Sequence, residues 1–301
     1  MICPEGRHLD GRDAGPRCRV KKAELVIGSA LRFSWSQAFA LSAVLAGMGC
    51  VLHSLQLIAL RREFGAGGLL DWGVLRTSHP GLLRSGFARW TDPLFSPPAV
   101  LLLSLAQAGG SIVIVSRPSD PPVWALCVVV GVRNLFNFRN SPAIIGADQM
   151  QVLVLAACLL YFLVPESGVA QACGWFVCLQ MIVAYVTAGV SKLVTPAWRR
   201  GSAITDILRS RNTGLALAYA YVRRFPVLAS LMCWATIVVE IAFPWLVFGG
   251  PSACVVFLAT GVLFHVGVAI IMGFDEFLWA YLATYPIALR CSIEVARLWW
   301  G

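Results

Sequence analysis

Residues 251–273 read PSACVVFLATGVLFHVGVAIIMG, a run without one Asp, Glu, Lys or Arg, entered through Gly249-Gly250 and closed by Gly273. At 1.5 Å per residue such a helix is about 34 Å long, enough to cross the hydrocarbon core of a bilayer. Moving outward, apolar windows of roughly 17–25 residues recur at 37–60, 98–116, 122–138, 146–164, 171–191 and 226–249, with a weaker segment at 277–289. The expected fold is all-α: a polytopic membrane helical bundle of seven to eight spans. Composition agrees, because the 301 residues are 58% hydrophobic and only 13% charged, where a soluble domain carries about 25% charge. Disorder, a small disulfide scaffold and a collagen-like repeat are excluded by the same figures. The net charge of +9 suits anionic headgroups, so membrane lipids are expected partners. Nucleic acid is not, because no basic stripe is interleaved with aromatics.

Residues 1–24 read as a disordered polar tail and 25–301 as one transmembrane domain. The basic stretch from Arg7 to Lys22 precedes an apolar run too long for the core of a cleavable signal peptide. Two connections are long, 61–97 and 192–225. Each mixes arginines with Trp, Tyr and Leu, the pattern of interfacial amphipathic segments at headgroup level. Charge leaves absolute orientation open. With the N-terminus cytoplasmic, ten Lys and Arg fall on that side and thirteen on the other, the reverse of the usual bias. The ten cysteines contain no C-x-x-C and read as small apolar residues that let helices approach.

Ionisable groups within spans are costly and hence informative. They are His53, Arg133, Asp148, Lys192, Glu240 and His265, with Asp275 and Glu276 at a span end. Because each span reverses direction, Arg133, Asp148, Lys192, Asp275 and Glu276 share one membrane face, with His265 about 12 Å below it. A polar vestibule on that face is expected. Each residue also has a structural reading. Arg133 and Lys192 can snorkel to the interface, and Asp148, Asp275 and Glu276 can offset helix dipoles. His265 can be a satisfied core histidine, and His53, with no partner at a sensible depth, reads as structural. Glu240 lies mid-span, four residues before Pro244, which cannot donate to its carbonyl. Lys192 closes its span, and burial there disfavours an ammonium; a neutral amine at that point can act as a general base.

The run Tyr185-Val186-Thr187-Ala188-Gly189-Val190-Ser191-Lys192-Leu193, followed by Trp198, Gly201 and Ala203, resembles the signature of the horizontally transferred transmembrane domain family. That family includes the membrane domain of vitamin K-dependent gamma-glutamyl carboxylase. Three further stretches are similar to it in order and spacing: Phe138-Arg139-Asn140-Ser141-Pro142 with Gly146-Ala147-Asp148, Glu240-Ile241-Ala242-Phe243-Pro244, and Phe264-His265-Val266-Gly267 through Met272-Gly273-Phe274. The resemblance spans roughly 35–290. It implies that Lys192 matches the base that deprotonates vitamin K hydroquinone, and hence a reduced quinone as cofactor. Lys192, His265 and Glu240 then become the expected catalytic residues. Arg133, Arg139, Asn140, Asp148 and Trp198 are the expected substrate-binding residues, and no metal site is expected. The carboxylases place a histidine beside the asparagine of the turn matching Arg139-Asn140-Ser141, and none lies between His79 and His265. They also carry a large lumenal region, whereas this chain ends at Gly301. Carboxylation itself is therefore not the expected reaction. Short bacterial members resemble maturation factors encoded beside sporulation-delaying peptide toxins. The leading expectation is an enzyme of the cell membrane acting on a lipidic, quinone-like or peptide substrate. The alternative is a non-enzymatic maturation or accessory factor for a secreted peptide or partner enzyme. A DoxX- or MauE-like redox partner, which the Ala-Gly-Val-Ser-Lys piece alone also resembles, ranks last for want of a paired cysteine motif.

Overall fold

The computed structural model describes residues 33–79, 88–140, 146–210 and 214–300; the tail expected at 1–24 and the Ser141-Pro142 part of the third-to-fourth turn lie outside them. Eight long helices follow one another: α1 (Trp35–Ala59), α2 (Pro97–Ser116), α3 (Val123–Arg139), α4 (Gly146–Leu163), α5 (Ser167–Val194), α6 (Pro226–Phe248), α7 (Pro251–Met272) and α8 (Asp275–Trp300). No strand occurs among the described residues. The starts are written locally. Ser34 and Gln37 form a reciprocal capping box on α1. Proline occupies the first turn of α2, α6 and α7, where its missing N–H is an orphan anyway. α6 runs unbroken through Pro244 to Phe248. Gly273, at φ +74°, takes the left-handed conformation that ends α7 and turns the chain directly into α8.

Six helices (α1, α2, α4, α5, α6 and α7) are long and apolar enough to cross a bilayer. Their outward side chains, among them Leu102, Ile112, Leu163, Val183, Leu231, Val238, Leu263 and Ile270, are exposed apolar groups. Water would not tolerate a surface of this kind, and lipid does. The chain is a multi-pass membrane protein. α3, at 17 residues, packs between α2 and α4. The segment read as a weak span at 277–289 is the middle of a 26-residue helix, α8, which packs against α1, α4, α5, α6 and α7. Its Ala280, Ala283, Thr284, Ile287, Ala288, Cys291, Ser292 and Ile293 are almost fully buried. A helix walled by protein needs less hydrophobicity than one facing lipid, which is why its sequence signal is faint.

The buried face of α1 is made largely of small residues: Ala38, Ser42, Ala46, Cys50 and Ser54 recur every four positions on it, and α1 packs against α8. At Gly49 a Cβ would come within 2.6 Å of Trp279 Cβ. Gly49→Val should therefore force α1 from α8 and cost about 2–3 kcal/mol. Gly131, whose Cβ would meet nothing within 4 Å, is the control, and thermal unfolding in lipid nanodiscs compares the two valine variants.

The long connections are folded caps made of several short helices. In the first, Trp72 is buried against Phe95, with ring centroids 4.6 Å apart, and its Nε1 donates to Asp92 at 2.8 Å. Asp71 accepts from the backbone N–H of Gly67 (3.0 Å) and Gly73 (2.8 Å). Those two bonds hold its carboxyl below its ordinary value of 3.8. A depressed carboxyl contributes stability above its unfolded value and loses it as pH falls through the folded one. As pH falls through that lowered value the amides of Gly67 and Gly73 should lose protection relative to their intrinsic exchange rates, and Asp71→Ala should show the same loss already at about pH 7 by hydrogen–deuterium exchange.

Candidate functional site

Gly189 is the reason two distant charges meet. A Cβ there would fall 2.8 Å from Ile241 Cγ1 and 3.0 Å from Glu240 Cβ, so the absence of one lets α5 and α6 close together. One turn later on α5, Lys192 Nζ donates to both carboxylate oxygens of Glu240, each at 2.8 Å. The pair is enclosed, with the lysine side chain 21% exposed and the glutamate 8%. α6 extends fourteen residues before Glu240, about 21 Å, and the short helices Pro196–Arg199, Ala203–Arg209 and Ala216–Arg224 pack against it. The second connection thus covers the pair. Within it, Trp198 sets its ring 5.3 Å from Lys192 Nζ, an added cation–π contact.

Two turns deeper on α5, Tyr185 begins a second polar layer. Its hydroxyl lies 2.9 Å from His265 Nε2 and 3.0 Å from the Tyr285 hydroxyl, joining α5, α7 and α8. Phe243 stacks on the Tyr185 ring at 4.1 Å, and Tyr281 stacks on His265 at 4.8 Å. His265 Nδ1 is buried without a partner. Tyr185 and Tyr281 are within electrostatic reach of Glu240, so the two layers are neighbours. Gly261 makes room for this arrangement, since a Cβ there would meet the Tyr285 hydroxyl at 2.3 Å.

The other expected residues lie elsewhere. Arg133, 3% exposed, pairs with Asp148 at 2.6 Å in a narrow crevice lined also by His53, Gln56, Gln151, Asp275 and Glu276. Arg139 is fully buried beneath the first connection. It donates to the carbonyl of Leu70 and, at 3.2 Å, to Asn140 Oδ1, with Phe64 under its guanidinium at 4.9 Å. The single vestibule is thus divided, because α8 runs through the bundle. Asp275, Glu276 and Trp279 on one face of α8 line the crevice, while Tyr281 and Tyr285 on another face the Tyr185 layer. His53 is not without company: Gln107 Nε2 lies 3.5 Å from its Nδ1, and Phe136 meets its ring edge-on at 5.6 Å. Attention to ionisable groups alone misses such neutral partners, as it misses Gln56, Gln151 and the three tyrosines. Polar residues within an apolar span are the signal that finds them. Among the described residues no three His, Cys, Asp or Glu side chains come together as a metal centre requires.

The chain matches no family model, no curated protein and no solved structure. Tyr185 and Lys192, Glu240, and His265, taken from three separate sequence motifs, nevertheless assemble in one region of the bundle.

Removing one member of a buried ion pair leaves the other charge uncompensated. Glu240→Leu and Lys192→Met should each lower stability by about 3 kcal/mol, and the double variant Lys192→Met with Glu240→Leu should recover most of that loss. A double-mutant cycle read by thermal unfolding measures the coupling; additive losses would show that the contact contributes nothing.

Proposed function

We propose that this protein is a membrane-embedded enzyme of the horizontally transferred transmembrane domain type, working in the cell membrane on a lipidic, quinone-like or peptide substrate. The observation that carries this reading is the enclosed, two-oxygen contact between Lys192 and Glu240 under Trp198. In a low-dielectric site the ion pair and the neutral amine–acid pair come close in energy, because desolvation penalises both charges at once. Transfer of a proton from Nζ to a Glu240 oxygen, across a nitrogen–oxygen contact of 2.8 Å, frees the amine lone pair, and Lys192 becomes a general base whose charge Glu240 regulates. Lys192 can then take a proton from a substrate hydroxyl or amide seated beneath Trp198. Tyr185, Tyr285 and His265 form a separate hydrogen-bonded cluster beside the pair, within electrostatic reach of Glu240.

A reduced quinone, which the family resemblance implies, supplies when bound a weakly acidic hydroxyl and an electron pair. The side chains fit such a group in kind. Lys192 and Glu240 can bond its oxygen, and the face of Trp198 suits a flat ring.

The test is turnover in the native pathway, read in cells that express each variant at the level of the unmodified protein. Lys192→Ala and Lys192→Arg should both lower turnover by at least about 100-fold, because a guanidinium cannot serve as the base. Function retained by Lys192→Arg would overturn the base role and favour the accessory-factor reading, in which a fixed positive charge suffices.

A further inference from the structure

The crevice on the other side of α8 does not balance its own charges. Arg133 meets Asp148 at 2.6 Å, which closes that pair. Gln56 Nε2 donates to both oxygens of Asp275, at 3.1 and 3.0 Å, but a neutral amide leaves the negative charge in place. Glu276 adds another carboxylate within electrostatic reach of Asp275, Asp148 and Arg133. Among the described residues, one guanidinium against three carboxylates, when all are ionised, leaves two negative charges in excess, of which the α8 dipole offsets about half of one.

A second observation points the same way. Gln151 is 3% exposed and lines the crevice. Its Nε2 donates to the Ala46 carbonyl at 2.7 Å, which fixes the amide so that Oε1 points away from α1, and that Oε1 is buried without a partner. A dry acceptor costs about 1–3 kcal/mol. The unpartnered donor in the crevice, Arg133 Nε, belongs to a guanidinium whose charge Asp148 already meets. The space is narrow, with room for a body about the size of a water molecule. Excess negative charge, oxygen acceptors and water-sized room are together what a hard, small cation needs.

We propose that this crevice binds one monovalent cation of sodium's size, held by Gln151 Oε1 and the carboxylates of Asp275 and Glu276. The ion ties the start of α8 to α4 and, through Gln56, to α1. The site is independent of the Lys192 centre and of the reading given for it.

The test uses the full chain in nanodiscs of zwitterionic lipid, with thermal unfolding followed in sodium chloride and in choline chloride at equal ionic strength. Sodium should raise the midpoint saturably by about 3 °C, and Glu276→Gln and Asp275→Asn, both close in shape to the native residues, should each abolish the rise. Equal midpoints in the two salts, or a sodium response that survives in either variant, would overturn the proposal and leave a water molecule as the occupant.

Discussion

A carboxylate enclosed among apolar helices is tolerable only when a cation reaches it, and the architecture around Glu240 is built on that constraint. Glu240 sits mid-helix on α6, where neither snorkelling nor a helix end can relieve it. Lys192 meets it only because α5 ends opposite the middle of α6 and because Gly189 lets the two backbones approach. The second connection then packs on the free half of α6 and lowers Trp198 over the lysine. Charge pairing, helix spacing and the folded connection are thus parts of one solution to the cost of a desolvated charge.

α8 plays the corresponding part for the bundle as a whole. Surrounded by five other long helices, it can carry Thr284, Ser292, Arg290 and Glu294 at places where a lipid-facing helix could not. Arg290 and Glu294 pair with each other four residues apart. Its two polar faces look into different regions, so one helix separates the Lys192 layer from the crevice that holds Arg133. The described residues thus form two polar centres, on different faces of α8.

Much of the first centre was legible residue by residue. Lys192, Glu240 and His265 stand out because charge or titratable nitrogen in an apolar span is expensive, and parity placed Lys192 and His265 near the same end of the bundle. Tyr185, Tyr281 and Tyr285 were not legible in the same way. Tyrosine is common in membrane helices, and only its hydroxyl's partner distinguishes a relay from a packing residue. Arg139 and Asn140 were read with the substrate site because their turn resembles a motif of the family. Instead Arg139 secures the first connection through Leu70 and Phe64, residues about seventy positions earlier that no local pattern links to it. His53 looked solitary because its neighbours, Gln107 and Arg133, lie on the second and third helices, and only packing brings them to its depth.

The sequence by itself determined the all-helical membrane class, the approximate spans, and the depth of each polar residue along its helix. Those follow from composition and a fixed rise of 1.5 Å per residue. Tertiary structure alone decided which residues at similar depth face one another, that the faint last segment is the central helix, and that one expected vestibule is two centres. Depth is a property of a single helix. Rotation about its axis and the identity of its neighbours depend on how side chains of several helices interlock, with Gly49, Gly189 and Gly261 marking where the closest approaches occur.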